Sequence, residues 1–189
     1  EPDWPAPPGI RAASTLRGGG VSLGAYASLN LGLHVGDEAS RVEANRARLM
    51  DHLRLPAPPQ WLTQVHGQRA IEAGQPGAPA ADAAYTWVTG QVCAVMTADC
   101  LPILLCRRDG AAVAAVHAGW QGLADGVVQS GRAALGTADV LAWLGPAIGP
   151  DAFAVGDDVR NAFIGQDCTC AAAFRQMGPE RYLADLYRL

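Results

Sequence analysis

Residues 91–120 read QVCAVMTADCLPILLCRRDGAAVAAVHAGW, and no other part of the chain is as apolar. Three runs within it, 91–98, 103–106 and 111–116, are rich in the aliphatic residues of buried strands. The first two are separated by Asp99-Cys100-Leu101-Pro102. Pro102 has no N–H to give to a sheet ladder, so a bend or a change of pairing is expected there. The third run ends at His117, followed by Ala118-Gly119-Trp120. Downstream, a helix is expected over 122–135 and a short strand over 141–144, closed by Gly145-Pro146-Ala147-Ile148-Gly149-Pro150. Upstream, 29–35 (LNLGLHV) alternates like a strand, and Asp37 offers an N-cap for a helix through about Leu53. Val42, Asn45, Leu49 and Leu53 would share one face of that helix. Residues 74–81 (GQPGAPAA) form a loop, and 180–189 read as an amphipathic helix with Tyr182, Leu186 and Leu189 on one side.

The whole chain fits this picture of a buried sheet. At 189 residues it is expected to be a single domain, 1–189, with half its residues apolar. Fourteen basic residues against eighteen acidic ones leave a net charge of -4 and no basic stripe, which argues against a nucleic-acid partner. No apolar stretch approaches the roughly 20 residues that span a bilayer. The start, EPDWPAPPG, lacks the basic and apolar regions of an export signal, and it opens on Glu, as if trimmed. Five cysteines are an odd number for a disulfide framework, so a reduced, cytoplasmic protein is expected. Cys93 and Cys106 lie in apolar runs as buried thiols, whereas Cys168 and Cys170 flank one threonine too tightly for a metal knuckle. Gly18-Gly19-Gly20 follows no strand and lacks the lysine and spacing of a phosphate loop.

The chemistry-bearing residues are few. Of four histidines, His66 and His117 each end an apolar run beside small residues, and Cys100 sits at the break between two strands. Their wide separation excludes a zinc ribbon or finger, whose ligands come in close pairs. Two imidazoles and a thiolate delivered by separate strand ends would leave one tetrahedral position open, as catalytic zinc requires. Residue types alone leave the bland alternative standing, with the histidines as satisfied polar groups and Cys100 as core. Asp99 could serve as acid, base or partner to a ligand, or cap a bend. Asn30 and His34 would project from one face of the 29–35 strand towards a substrate, although Asn30 is equally a turn-forming amide. Trp120 could stack on a ring or simply pack, and His52 is a solvated helix residue.

Several motifs resemble a known family in sequence order. They are YASLNLGLHVGD (26–37), QVHG (64–67), Asp82-Ala83 with Thr86, TADCLP (97–102), HAGW (117–120) and LGPAIGP (144–150). Together they resemble the family first called multicopper polyphenol oxidoreductases or YfiH-like laccases, later described as purine nucleoside phosphorylases. The resemblance implies an α+β fold, an α/β/β/α sandwich with mixed sheets that is shared with a group of cysteine hydrolases. It implies zinc at His66, Cys100 and His117, with copper the alternative occupant. It also implies phosphorolysis of adenosine, inosine, guanosine and methylthioadenosine, with adenosine deamination beside it, so nucleoside and phosphate would be the partners. Gln121 stands where the family usually has Arg, so an anion there would be held less tightly. Asp151, Ala152 and Phe153 replace family cysteines and a tyrosine, and a later family segment with a Ser-Tyr-Arg-Arg motif is absent. Three other readings compete: a cysteine hydrolase with Cys100 as nucleophile and His117 as base, a copper laccase, and a factor editing peptidoglycan precursors. A laccase would need more histidines than four.

Overall fold

The computed structural model describes residues 1–136 and 139–189. Its centre is a five-stranded mixed sheet. β5 (Leu101–Arg107) pairs antiparallel with β6 (Val113–Ala118) on one side and β7 (Val140–Leu144) on the other. β6 continues antiparallel to β3 (Ala83–Thr86), which pairs parallel with β2 (Ala70–Glu72). The register sets Leu101 opposite Ala118, Ile103 opposite Val116 and Leu105 opposite Ala114. These residues share one face and bury it against α3 (Val127–Ala134) through Val127 and Leu135. The approach is close, because a Cβ at Gly131 would lie 2.7 Å from Val116 Cγ2.

On the opposite face Ile71 and Ala84 pack with Leu62, Ala81, Cys93 and Val95. Here a short parallel sheet joins β1 (Pro59–Gln60) to β4 (Val92–Cys93). Beyond it lies α1 (Ala39–Leu53), whose Arg46 guanidinium sits 3.9 Å from the Trp61 ring centroid and 3.9 Å from Met96 Sδ. The layers therefore run helix, sheet, sheet, helix, the expected sandwich with mixed sheets. A third sheet, β8 (Ala154–Gly156), β10 (Arg181–Ala184) and β9 (Phe174–Gly178) in that spatial order, closes one end beside α4 (Asp157–Ile164) and α2 (Trp120–Asp125).

Several local expectations change. The 91–98 run pairs only at Val92–Cys93. Further along, the Gln64 side-chain amide stands in for a neighbouring strand, accepting from Met96 N at 2.8 Å and donating to Met96 O at 2.7 Å. Pro102 lies within β5 and does not break it. Its carbonyl accepts from Gly145 N at 2.8 Å, and Gly145 O, which Pro102 has no N–H to serve, accepts instead from Tyr187 Oη at 2.8 Å. Residues 29–35 form turns and irregular loop, not a strand. Side chains of α1 take their carbonyls: Asn45 Nδ2 donates to Asn30 O at 2.8 Å and Arg46 Nε to Leu31 O at 2.9 Å.

Glu38, not Asp37, is the N-cap of α1, because Asp37 Oδ2 is occupied by Ser22 Oγ (2.5 Å) and Asn30 Nδ2 (3.0 Å). Val42 and Asn45 are buried on the expected face, with Leu49 and Leu53 half-buried. The 122–135 helix is two helices, α2 and α3, parted by Gly126 at φ 95°. The 180–189 segment is strand β10 followed by a turn, since Ala184 and Leu186 are buried with a period of two. All five cysteines are free, and no helix among the described residues is long and apolar enough to cross a membrane.

Candidate active site

The register that builds the large sheet also builds the site. Asp82 directly precedes β3, and the β3–β6 ladder continues through it: His117 N donates to Asp82 O at 2.7 Å. With Ala83 opposite Val116, Asp82 and His117 become neighbours on the face that looks to the small sheet. His117 Nδ1 lies 2.8 Å from Asp82 Oδ1, both side chains being buried. Residues 65–67 wrap around the same carboxylate. Oδ1 accepts from His66 N at 2.9 Å, and Oδ2 accepts from Val65 N at 3.2 Å and Gly67 N at 2.8 Å. His66 adopts φ 60° in this turn, a region non-glycine residues seldom visit.

Cys100 directly precedes β5, alternating onto the same face as Pro102 and His117. Its Sγ is 3.8 Å from His66 Nε2, and the two imidazole rings meet edge to face at 4.8 Å between centroids. One ligand atom from each of His66, Cys100 and His117 lies within 4.8 Å of the others. Bond lengths to tetrahedral zinc imply ligand–ligand spacings of roughly 3.3–3.6 Å, so side-chain movements of about an ångström would close the three around one cation. The glycines of HAGWQG are what allow this approach. A Cβ at Gly119 would lie 2.5 Å from His66 Cδ2, and one at Gly122 would lie 2.6 Å from Gly67 O.

Burial, helped by the nearby Asp99 and Asp82 carboxylates, pushes the Cys100 thiol up to about 11. Burial also lowers His117 below the ordinary imidazole value, with Asp82 opposing it in part. Without a cation, then, the site favours a protonated thiol and a neutral imidazole. A bound cation reverses that preference at sulfur.

His66 and Cys100 open onto a cavity of about 300 Å³. Asp99 and Gln121 give it polar walls, and Trp120, Ile148, Phe153 and Leu186 give it apolar ones. The 145–150 loop forms one side, tied down by Ile148 N to Asp99 O at 2.9 Å. Tyr187 Oη secures the same loop, donating to Gly145 O at 2.8 Å and accepting from Ala147 N at 3.0 Å. Asp99, Gln121 and Trp120 are thus brought beside the His66–Cys100–His117 cluster. Asn30 and His34 are not among the residues lining this cavity. The Asn30 amide is committed to Gly32 and Asp37, and His34 is exposed on a turn. Asp82 is the residue that the chemistry of the sequence did not single out. Besides its place in the Asp82-Ala83 motif, its signal was an acid set among Ala81, Ala83 and Ala84, where solvent would not reach it.

Comparison with known proteins agrees with the motifs. A family model described as multi-copper polyphenol oxidoreductase laccase matches residues 11–189. The purine nucleoside phosphorylase YfiH of Escherichia coli (strain K12) is 53% identical over 192 residues, covering 100% of this chain and 79% of that protein. A purine nucleoside phosphorylase of Pseudomonas aeruginosa is 50% identical over 191 residues, covering 100% and 78%. The crystal structure of the Neisseria meningitidis protein NMB0706 superposes with a TM-score of 0.95 at 48% identity, over 98% of this chain and 78% of that one. The chain therefore belongs to the multi-copper polyphenol oxidoreductase laccase family, and its closely related curated members are named as purine nucleoside phosphorylases.

Proposed function

We propose that this chain is a zinc-dependent purine nucleoside phosphorylase. Its substrates would be adenosine, inosine, guanosine or methylthioadenosine together with inorganic phosphate, and adenosine deamination would be a second activity of the same site. The observation that carries the reading is the meeting of His66, Cys100 and His117, the first two of which line a cavity with aromatic and aliphatic walls. Two imidazoles and one thiolate suit zinc, with copper the alternative, and leave a coordination position for substrate chemistry. When bound, the cation supplies positive charge and Lewis acidity at the cavity base.

The chain's own residues do the rest. Trp120 and Phe153 offer flat apolar surfaces to a purine, and Ile148 and Leu186 help to exclude water. Gln121 presents a neutral amide to polar groups of the nucleoside or to phosphate. Asp99, exposed at the rim beside Cys100, is the carboxyl placed to hold a proton for the departing base. The high pKa of the Cys100 thiol weighs against a cysteine nucleophile, which needs thiolate at neutral pH. Free cysteines throughout accord with a reducing, cytoplasmic setting.

The test is incubation with inosine and phosphate while following hypoxanthine release, repeated with a strong chelator and with Cys100→Ala. Release that both treatments abolish is expected. Activity that survives chelation would remove the metal from the reaction. Failure with every purine nucleoside would return the choice to amide hydrolysis or to binding of peptidoglycan precursors.

A further inference from the structure

Asp82 touches no part of the cavity, yet both oxygens of its carboxylate are fully engaged with the site. Oδ1 faces His66 N and His117 Nδ1, and Oδ2 faces Val65 N and Gly67 N. The side chain has no solvent exposure, so no water competes for these positions. Asp99 differs: it is exposed, and it lies at the cavity rim beside the thiol.

We infer that Asp82 is a positioning residue that fixes the tautomer of His117 and the seat of His66 together, so that one carboxylate aims two ligands at a shared centre. The inference rests on reading the three residues as a metal centre. A carboxylate only accepts, so the His117 nitrogen 2.8 Å from it must carry the proton. That choice leaves Nε2 with a free lone pair, the form an imidazole needs to bind a cation. Three successive backbone N–H groups, of Val65, His66 and Gly67, converge on the same carboxylate and hold the left-handed turn that carries the second imidazole. The two ligands are far apart in sequence and share this one anchor.

An amide cannot replace it. In Asp82→Asn, an NH₂ facing His117 would make Nδ1 an acceptor and move the proton to Nε2, removing the ligand lone pair. Turned the other way, the NH₂ would oppose the N–H groups of Val65 and Gly67 and open the turn. Either orientation harms one ligand.

Two measurements test the inference. Long-range imidazole ¹⁵N spectra of the metal-free wild-type protein should show His117 protonated at Nδ1; protonation at Nε2 overturns the proposal, and this result needs no variant. Competition with a chromogenic chelator should show that Asp82→Asn binds zinc at least about tenfold more weakly than wild type, with far-ultraviolet circular dichroism unchanged. Zinc affinity within twofold of wild type in a folded Asp82→Asn protein overturns it as well. Should that variant not fold, the wild-type tautomer decides alone. A wild type that binds no zinc at all would instead sink the reading of the metal centre, while the tautomer would still report on Asp82.

Discussion

Gly119 and the ring of His66 lie so close that a Cβ on the glycine would stand 2.5 Å from His66 Cδ2 and 3.3 Å from Cys100 Sγ. His66 is exposed, so its ring can swing aside at little cost to the fold. Gly119→Ala should therefore lower zinc affinity by about tenfold or more while leaving the melting temperature of the metal-free protein nearly unchanged. Gly122→Ala makes a useful contrast. Its added carbon meets the backbone oxygen of Gly67 at 2.6 Å, which cannot swing away, so stability should fall along with metal binding.

The Cys100 thiol, raised to about 11, should be a poor nucleophile in the metal-free protein. Its alkylation by iodoacetamide, followed by peptide mass spectrometry, should speed up about tenfold per pH unit between neutrality and about pH 10. Asp99→Asn removes a charge that raises the thiol, so labelling should be faster across the range from neutrality to about pH 10. Rapid labelling of Cys100 at pH 7 would restore the case for a cysteine hydrolase.

His117 links stability to acidity. Its folded-state pKa is lowered, chiefly by burial, so folding favours the neutral ring. The unfolded chain takes up this proton near the ordinary value of about 6.5. The contribution is thus complete above that pH and is lost as pH falls through the folded value. Urea denaturation of the metal-free protein should show a midpoint that drops on acidification below about pH 6.5, and His117→Gln should show a shallower drop.

Gly131 lets α3 lie close against the sheet. Alanine favours a helix by about 1 kcal/mol, but its methyl would lie 2.7 Å from Val116 Cγ2, and overpacking costs about 1–3 kcal/mol. Gly131→Ala should lower stability by up to about 2 kcal/mol in chemical denaturation; a stabilised variant would show that α3 can shift.

Tyr187→Phe removes a hydroxyl bonded to both Gly145 and Ala147, loosening the loop that carries Ile148. Each bond is worth about 1 kcal/mol. A several-fold rise in KM for inosine, with kcat within twofold, is expected from steady-state kinetics.

Three strands of the large sheet were readable as continuous apolar runs, since 101–107, 113–118 and 140–144 lie close to where composition puts them, whereas β2 (70–72) and β3 (83–86) are too short to register in that way. The grouping of His66, Cys100 and His117 was expected from residue type, position and resemblance, and the fold brings one donor atom of each within 4.8 Å of the others. Segments whose partners are side chains were not. The alternation in 29–35 looked strand-like, but Asn45 and Arg46, on a helix not yet formed when one reads those residues, claim its carbonyls. The 180–189 segment satisfied helical and strand spacing alike, and only pairing with β8 and β9 decided between them. Asp82 was missed because a lone acid gains meaning only once a cross-strand register sets it beside His117.

That register also governs when the centre can come into being. β6 sits between β3 and β5, and it carries His117, the last of the three clustered donors to emerge during synthesis. A nascent chain that has produced His66 and Cys100 still lacks both the strand that presents His117 and the ladder that brings Asp82 alongside it. Assembly of the His66–Cys100–His117 cluster thus belongs to the late, topology-limited stage of folding, and if the cluster holds zinc as proposed, a pulse of zinc early in refolding should find no cradle.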